Sequence, residues 1–535
     1  MRYRTRRNSG VRKRFGTVLA HEEGTITKDW GGRLPVALIY PNSYFLGMSN
    51  LGVHAIYRLL NDDRNIVCER VFRDKYDKKP PASIESARPL ADFAVLAFSI
   101  SYELDYYNAV NILKASGIPL KTADRDERHP LVIAGGPCMT ANPMPLASFF
   151  DCLCIGEAEV ILPALLPVIM EGIAEDRQSL LKALSALPGV YVPAYPPNLP
   201  VIRQWVRNLD NSTAVSTVLT PDTELGDMYL IEAERGCQQG CRFCMVNSHF
   251  SPMRFRSVEH ILIRARQGLQ YRTRIGLVGP AVADHPQILE ILNGINNLGA
   301  EISISSVRAD SLSEDILDVL SRSKTRTITI APETGSYSLR QSINKRISDD
   351  DILKAAEMIA GRDFRQLKLY FVIGLPTETD GDIEDIVKLA SEIKERLDRS
   401  GSLARITMNV APFVPKAATP FQWLPMAPPG VLNDRISILR SSLPLKGIRL
   451  NEESPAWSRI QALLARGDTK LVRLLENVEE DSLSGWRRAA EKCEIDIDSY
   501  VYRQWDTDAE LPWAMIDSGI KCEHLCSELE KALAR

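Results

Sequence analysis

Short apolar runs alternate with amphipathic stretches in residues 31–190, and this alternation predicts five buried strands separated by helices. The stretch SNLGVHAIYRLLN has helical spacing, and Ser49 or Asn50 suits its N-terminal cap. Strands and helices in this order predict an α/β domain with a doubly wound, Rossmann-like parallel sheet. The predicted strands are PVALIYP (35–41), NIVCERVF (65–72), FAVLAFSIS (93–101), PLVIAGGP (130–137) and FFDCLCIG (149–156), and the helix EAEVILPALLPVIMEGI (157–173) closes the domain.

A second alternating region follows a proline-rich linker at residues 191–225. Residues 226–425 carry six strand-like runs with helices between them, two βα units fewer than a complete eight-fold barrel, and chemistry is expected at the C-terminal strand ends. Residues 426–535 predict a mostly helical accessory domain near the barrel mouth. The six runs are MYLIEAERG (228–236), TRIGLVGP (273–280), AEISISSVRAD (300–310), TRTITIAPETG (325–335), QLKLYFVIGLP (366–376) and ARITMNVAPFVP (404–415).

The composition is that of a globular protein with several domains. The 535 residues are 45% hydrophobic and 25% charged, and the net charge of −3 argues against a general polyanion binder. The sequence contains no secretory signal and no apolar run of about 18 residues that would span a membrane. Residues 1–30 form a basic arm, which either contacts nucleic acid or phosphate or packs on the protein itself. Its basic residues are Arg2, Arg4, Arg6, Arg7, Arg12, Lys13 and Arg14.

Three cysteines follow the first strand of the second region in a C-x3-C-x2-C spacing. A cluster of four irons normally takes four thiolates, so three would leave one iron open to a small molecule. Arg235 and Arg242 flank the cysteines, and nearby cations favour thiolates. Two alternatives remain open, a zinc site completed by His249 and three unrelated buried thiols. Ten cysteines with three at one site predict a reducing, cytoplasmic location. The three are Cys237, Cys241 and Cys244.

The segment EAERGCQQGCRFCMV (232–246) resembles the signature of the radical S-adenosylmethionine (SAM) enzymes, whose penultimate motif residue is usually aromatic, as Phe243 is here. The resemblance implies a partial (β/α)6 barrel and a [4Fe-4S] cluster on the three cysteines that binds SAM. It also implies reductive cleavage of SAM to a 5′-deoxyadenosyl radical and a one-electron reductant such as flavodoxin or ferredoxin as partner.

The same resemblance assigns SAM contacts to the strand ends. Arg308 would pair with the SAM carboxylate and Glu333 with the ribose hydroxyls, while Gly374 and its neighbours would lie against the adenine. A structural ion pair of Arg308 and an ordinary turn at Gly374 are the alternatives. The implied residues are Gly279 and Pro280 after the second strand, Ser306 and Arg308 after the third, Glu333 after the fourth, and Gly374, Leu375 and Pro376 after the fifth.

The carboxyl edge of the first sheet is a second candidate binding surface, because doubly wound sheets bind ligands there. Small residues at these strand ends let a ligand approach the backbone, although tight turns explain them equally well. The element order resembles a cobalamin-binding-type domain, with AGGP in place of its glycine pair. The D-x-H-x-x-G loop, which supplies a lower axial histidine to cobalamin in that fold, is absent, and His54 lies inside the first helix. Cobalamin, if bound, would therefore lack a histidine ligand from that loop. A domain without cobalamin is the alternative. The edge residues are Asn42, Ser43, Ser99, Ser101, Gly135 and Gly136.

The leading functional hypothesis is a radical SAM enzyme, with either cobalamin-dependent methyl transfer to an unactivated carbon or a rearrangement. An RNA-modifying methylthiotransferase needs three further N-terminal cysteines, and a non-catalytic cobalamin or redox sensor is the other alternative. APETGSYSLRQSINK, YFVIGLPTETDGD and PFVPKAATPFQW resemble a cobalamin-domain radical SAM subgroup whose substrates are largely unassigned. The remaining N-terminal cysteines, which lack the required spacing, are Cys68, Cys138, Cys152 and Cys154.

Two features stand out in the C-terminal region. Its tryptophans are expected to anchor a small core. Cys522 and Cys526 lie one helical turn apart beside His524, and they form either a metal site, with Cys493 as a further ligand, or one buried face of a terminal helix. The tryptophans are Trp486, Trp505 and Trp513.

Overall fold

The computed structural model of the protein describes residues 18–73 and 79–535. Its N-terminal region is a six-stranded sheet with helices on both faces. The strands are β1 (Leu34–Tyr40), β2 (Ile66–Phe72), β3 (Val95–Ser99), β4 (Leu131–Gly135), β5 (Cys152–Cys154) and β6 (Val190–Tyr191). The helices are α1 (Tyr44–Gly47), α2 (Leu51–Asp62), α3 (Tyr106–Ala115), α4 (Pro137–Ala141), α5 (Ala158–Gly172) and α6 (Arg177–Ser185).

The strand order is β2-β1-β3-β4-β5-β6, in which β1 to β5 run parallel and β6 runs antiparallel to β5. Alternate residues of β1 enter two different cores, Val36 on the side of α2 and α5 and Ala37 on the side of α3. Burial on both faces explains the unbroken apolar runs and confirms the predicted doubly wound sheet. The strand order reverses between β1 and β3, the position where such sheets bind ligands.

The linker and the central region together contain the six predicted strands and three short additional ones. They are β7 (Val201–Ile202), β8 (Tyr229–Glu232), β9 (Glu234–Arg235), β10 (Arg254–Phe255), β11 (Arg274–Val278), β12 (Glu301–Ile304), β13 (Thr327–Glu333), β14 (Gln366–Ile373) and β15 (Arg405–Pro412). The helices are α7 (Val246–His249), α8 (Val258–Gly268), α9 (Ile288–Asn297), α10 (Glu314–Arg322), α11 (Tyr337–Ser342), α12 (Asp349–Ala360) and α13 (Asp380–Arg399).

The six strands form two parallel sheets, β12-β11-β8 and β13-β14-β15, and one parallel bridge between Val307 and Ile330 joins them. The described residues form no closed barrel, in agreement with the expected partial (β/α)6 architecture. β12 ends at Ile304, earlier than predicted, so Ser306 and Arg308 lie in an irregular segment beyond the strand.

The C-terminal region is mostly helical, as expected, but its first strand, β16 (Arg449–Glu452), extends the central sheet beside β15. Trp505 and Trp513 stack edge to face with centroids 5.6 Å apart, whereas Trp486 is buried in a different core, so the three do not form one small core. Every helix among the described residues is too short or too polar to cross a membrane. The remaining elements are α14 (Pro429–Ser442), α15 (Pro455–Arg466), α16 (Leu471–Asn477), α17 (Leu483–Cys493), α18 (Ile497–Val501), β17 (Ile516–Asp517) and α19 (Cys522–Leu533).

Ion pairs and hydrogen bonds join the segments that the sequence divides. The basic residues from Arg2 to Arg14 lie outside the described residues, but Glu22 pairs with the buried Arg70 at 2.6 Å. Within the proline-rich linker, β7 pairs with β17 of the C-terminal region. Buried Glu103, after β3, pairs with Lys416 after β15. The first sheet is therefore fixed directly to the central region.

Candidate active site

The three cysteines lie in a loop between β9 and α7, and two glycines shape it. Gly236 and Gly240 have φ angles of +89° and +66°, which favour glycine. A Cβ at Gly236 would lie 2.6 Å from the carbonyl oxygen of Phe250. Asn344 donates its amide to the carbonyl oxygen of Gly240 at 2.9 Å. The segments that follow α7 and α11 therefore hold the loop in place.

Burial raises the pKa of all three thiols, and that of Cys241 to about 12. The cations that oppose this increase are Lys345 and Arg308, both nearly buried. Metal binding requires deprotonated cysteines. Because positive charge stabilises a thiolate, Lys345 and Arg308 favour the form of the cysteines that binds metal.

The expectation that Arg235 and Arg242 stabilise the thiolates of the three cysteines is wrong. Arg235 pairs with Glu157 and Glu159, and Arg242 pairs with Glu528 of α19 at 2.9 Å. Both guanidinium groups are held by carboxylates on other elements. Lys345, which the sequence did not single out, lies beside the thiols instead.

His249 does not join the cysteines as a zinc ligand. Its ring is buried, and Nε2 lies 3.1 Å from the carbonyl oxygen of Ala417. Among the described residues, no three His, Cys, Asp or Glu side chains are grouped around one ion position. The donor set of the loop therefore fits a multi-iron cluster better than a single tetrahedral ion.

Gly279 and Pro280 end β11 beside a buried carboxylate, that of Glu234. A Cβ at Gly279 would lie 2.4 Å from Cγ of Glu234, so the close approach requires glycine. One oxygen of Glu234 accepts the backbone N–H of Ala281 at 2.5 Å, and the other has no partner. Burial raises the pKa of Glu234 to about 7. Sequence reasoning did not select Glu234, because it lies in an ordinary strand position before the first cysteine of the motif.

Two of the residues expected to bind SAM already have partners in the protein. Arg308 makes a two-pronged pair with Asp310, at 3.0 and 2.7 Å, as in its structural alternative. Glu333 pairs with Lys345 at 3.0 Å and has a φ of +69°, a strained value for a residue with a side chain. Ser306 is exposed. The ends of β12 and β13 thus carry two charged side chains that are already paired, Arg308 and Glu333, and the exposed hydroxyl of Ser306.

The turn after β14 is supported from behind by the C-terminal region. Gly374 has a φ of +78°, and its N–H donates to the carboxylate of Glu378 at 2.5 Å. Arg435 of α14 pairs with the same buried carboxylate at 2.5 Å. Leu375 and Phe243 belong to one apolar cluster with residues of α19. This arrangement orients the turn formed by Gly374, Leu375 and Pro376.

A cavity of about 510 Å³ separates the carboxyl edge of the first sheet from the central region. Ser99, Ser101 and Gly136 line one side, and Gly279 and Pro280 line the other. A Cβ at Gly136 would lie 2.5 Å from the carbonyl oxygen of Ile100, so glycine is required there. Two of the predicted SAM contacts, Gly279 and Pro280, therefore face the carboxyl edge of the first sheet across one space, whereas the other predicted SAM contacts and the cysteines do not line it.

Gly135 contributes to a smaller adjoining pocket of about 60 Å³, which reaches between the sheet, α2 and α5. His54 does not face either space as a ligand. Its ring nitrogens contact the carbonyl oxygen of Met48 and the backbone N–H groups of Thr217 and Val218. The described residues thus place no histidine of α2 in the cavity.

Paired charges form one wall of the cavity. Glu157 pairs with Arg254 at 2.7 Å and with Arg235 at 2.8 Å, and Arg235 also contacts Glu159 at 2.8 Å and Glu232 at 2.9 Å. The network joins the end of β5 to β8, β9 and β10, so it fixes the distance between the two binding surfaces.

The fold and the cysteine loop define an enzyme class with an α/β N-terminal domain and an iron–sulfur-binding partial barrel. Residues 231–390 match the family model of the radical SAM superfamily, and residues 52–193 match that of the N-terminal region of radical SAM proteins. The chain therefore belongs to the radical SAM superfamily, which implies a [4Fe-4S] cluster and SAM.

Relatives and solved structures extend this assignment. The uncharacterized protein MJ0966 of Methanocaldococcus jannaschii is 30% identical over 82% of this chain and 90% of its own length. The ribosomal protein uS12 methylthiotransferase RimO of Thermotoga maritima is 22% identical over 37% of this chain and 53% of its own.

The cobalamin- and cluster-bound methyltransferase TsrM of Kitasatospora setae aligns with a TM-score of 0.52 and 12% identity, over 86% of this chain and 99% of its own. The cobalamin-dependent SAM radical enzyme OxsB, bound to aqua-cobalamin and SAM, aligns with a TM-score of 0.50 and 12% identity, over 94% and 79%. At these identities the likeness shows a shared fold.

Proposed function

We propose that this radical SAM enzyme binds cobalamin between its first sheet and its central region and methylates an unactivated carbon of its substrate. The observation that carries the proposal is the shared cavity, in which Ser99, Ser101 and Gly136 face Gly279 and Pro280. A cavity lined by both surfaces would bring two cofactors and a substrate within reach of one another.

The residues present fit the cluster and SAM. Cys237, Cys241 and Cys244 would hold three irons, with Lys345 and Arg308 stabilising the thiolates. The bound cofactors would supply the 5′-deoxyadenosyl radical and the methyl group. The protein positions them and limits access of water to the cavity.

The strand ends would hold the parts of SAM. The backbone at Gly279 and Pro280 is open to the cavity and suits the methionine amino group. Glu333 keeps one carboxylate oxygen for the ribose hydroxyls while the other accepts from Lys345. Arg308 keeps Nη1 for the methionine carboxylate, because Asp310 occupies only Nε and Nη2.

Cobalamin would lie on the edge of the first sheet without a histidine ligand from α2. The ring nitrogens of His54 are engaged by backbone groups, and the glycine at position 136 leaves the backbone accessible. The adjoining pocket between the sheet, α2 and α5 suits a group extending below the corrin plane. We therefore expect bound corrin to show a base-off spectrum.

The methylthiotransferase alternative gains no support from the remaining cysteines. Cys68, Cys138, Cys152 and Cys154 are all buried in the first region, and burial raises the pKa of each thiol. Two of them lie on β5 and the others on β2 and α4, so the described residues hold no second triplet for a cluster.

The test is anaerobic reconstitution with iron, sulfide and hydroxocobalamin. We expect about four irons per chain, SAM cleavage to 5′-deoxyadenosine under reductant, and a corrin spectrum retained after gel filtration. Cys241→Ala should abolish cluster and cleavage. Ser101→Trp should fill the cavity and release corrin while iron is kept, whereas Ser441→Trp, on an exposed face of α14, should retain both. Loss of all corrin from the unmodified protein would remove cobalamin from the proposal.

A further inference from the structure

Two thiols meet on the surface of α19, far along the chain from the cysteine loop. Cys522 is the first residue of the helix and Cys526 lies one turn later, with the Sγ atoms 4.0 Å apart. Cys522 is exposed and Cys526 half-buried. The buried face of α19 is formed instead by Leu525, Leu529 and Ala532. Cys526 packs partly against the same apolar cluster, so packing accounts for one thiol of the pair but not for the exposed Cys522.

Their separation matches chelation of one ion. Two thiolates on a tetrahedral zinc ion, each at about 2.3 Å, lie about 3.8 Å apart. A disulfide requires sulfurs about 2.05 Å apart, which the present side-chain positions do not approach. Cys493 takes no part, because its thiol is buried on α17 and donates to the carbonyl oxygen of Arg473 at 3.4 Å. The pair is thus a two-donor site.

Two carboxylates lie near Cys526, and their negative charge favours a cation there while it raises the pKa of the thiol. Glu523 and Glu530 lie on the same helix and act electrostatically on Cys526. No third His, Cys, Asp or Glu of the described chain completes an ion site, so two coordination positions stay open to water or an added ligand. Binding of a divalent ion would release one proton from each thiol and neutralise the two thiolates.

We propose that Cys522 and Cys526 chelate one thiophilic divalent cation of the zinc type at an open, two-thiolate site. The site lies on the helix that supports the cysteine loop, since Glu528 pairs with Arg242 at 2.9 Å. The hydroxyl of Ser342, on α11, donates to the carbonyl oxygen of Ala532 at 2.7 Å. Bound metal would stiffen the first turn of α19 and, through these contacts, the loop.

The test measures zinc binding under reducing conditions by protein that already carries its iron–sulfur cluster. In this form Cys237, Cys241 and Cys244 are occupied by iron and do not take up zinc. We expect about one zinc per chain after gel filtration in the unmodified protein and none in Cys522→Ser/Cys526→Ser, with equal iron in both. His524→Ala is the matched control and should keep its zinc, because His524 is on another face of the helix.

X-ray absorption at the zinc edge gives an independent readout, with two sulfur ligands expected at about 2.3 Å. Equal zinc in the unmodified and double-serine proteins would overturn the proposal. So would an isolated protein whose mass shows a Cys522–Cys526 disulfide and whose reduced form takes up no zinc. Neither result depends on cobalamin or on turnover, so the proposed function is tested separately.

Discussion

Glu234 provides a quantitative test of how the cavity wall is built. Its side chain is 1% exposed, one oxygen accepts from Ala281, and the other has no partner. Burial raises its pKa from 4.5 to about 7, and the nearby carboxylate of Asp284 adds to the effect. We expect Glu234→Gln to stabilise the protein above pH 7, because the amide keeps an acceptor for Ala281 and removes a buried charge.

The sign follows from proton linkage. Because the folded-state pKa lies above the ordinary value, the folded protein binds this proton more tightly than the unfolded chain does. The contribution of Glu234 to stability is therefore fully present below pH 4.5 and is lost as the pH rises through 7. A shift of this size corresponds to about 3 kcal/mol at full ionisation. Glu234→Gln should recover up to about 3 kcal/mol at pH 8 and almost nothing at pH 4.5.

The assay is urea unfolding of iron-free protein at pH 5 and pH 8, followed by circular dichroism. The matched control is Glu232→Gln, because Glu232 pairs with Arg235 and Arg256 at 2.9 and 2.6 Å and should lose stability at both pH values. If Glu234→Gln were equally destabilising at pH 5 and pH 8, the carboxyl group would not be ionised against burial, and the reasoning would fail.

Three further predictions concern the supports of the site. Lys345→Gln removes a buried cation from the thiolates and should lower the midpoint potential of the cluster by on the order of tens of millivolts, measured by electron paramagnetic resonance; an unchanged potential would exclude that influence. Gly279→Val should cost about 1–3 kcal/mol by overpacking against Glu234, and Glu234→Ala in the same chain should restore part of it in urea unfolding. Burial raises the pKa of Glu378 to about 7, so Arg435→Met should cost about 3–5 kcal/mol in the same assay at pH 8, where the carboxylate is ionised and loses its cation, and less at pH 5; an equal cost at both pH values would contradict this reasoning.

The strand ends were predictable because parallel strands buried on both faces have unbroken apolar runs. Ser99 and Gly136 could be placed at one edge from β3 and β4 alone, and Gly279 at another from β11. That these edges face each other could not be predicted, since it depends on contacts such as Glu103 with Lys416 between distant segments. The hydrophobic periodicity predicts the strands of each sheet. It does not predict how the first sheet and the central sheets lie relative to each other.

The direction of side chains was the second feature that could not be predicted from the sequence. Arg242 directly follows Cys241 in sequence but points to Glu528, while Lys345, from beyond α11, acts on Cys241. The reach of Lys345 depends on Asn344, whose φ of +56° turns the chain back towards the loop. Such a turn has no clear signal in a single sequence, because asparagine only tolerates this conformation. Proximity in sequence therefore did not identify the cation that lies beside the thiols.

The cavity wall contains both paired and unpaired carboxylates. Three of its carboxylates, those of Glu157, Glu159 and Glu232, are paired with Arg235, and so their charges are already compensated. Glu234 lies on the same wall and has no cationic partner among the described residues. Its free oxygen is thus the one acidic group of this set that a ligand would meet unpaired. A pKa of about 7 places Glu234 in both protonation states near neutral pH, so its free oxygen can accept a hydrogen bond as a carboxylate or donate one as an acid.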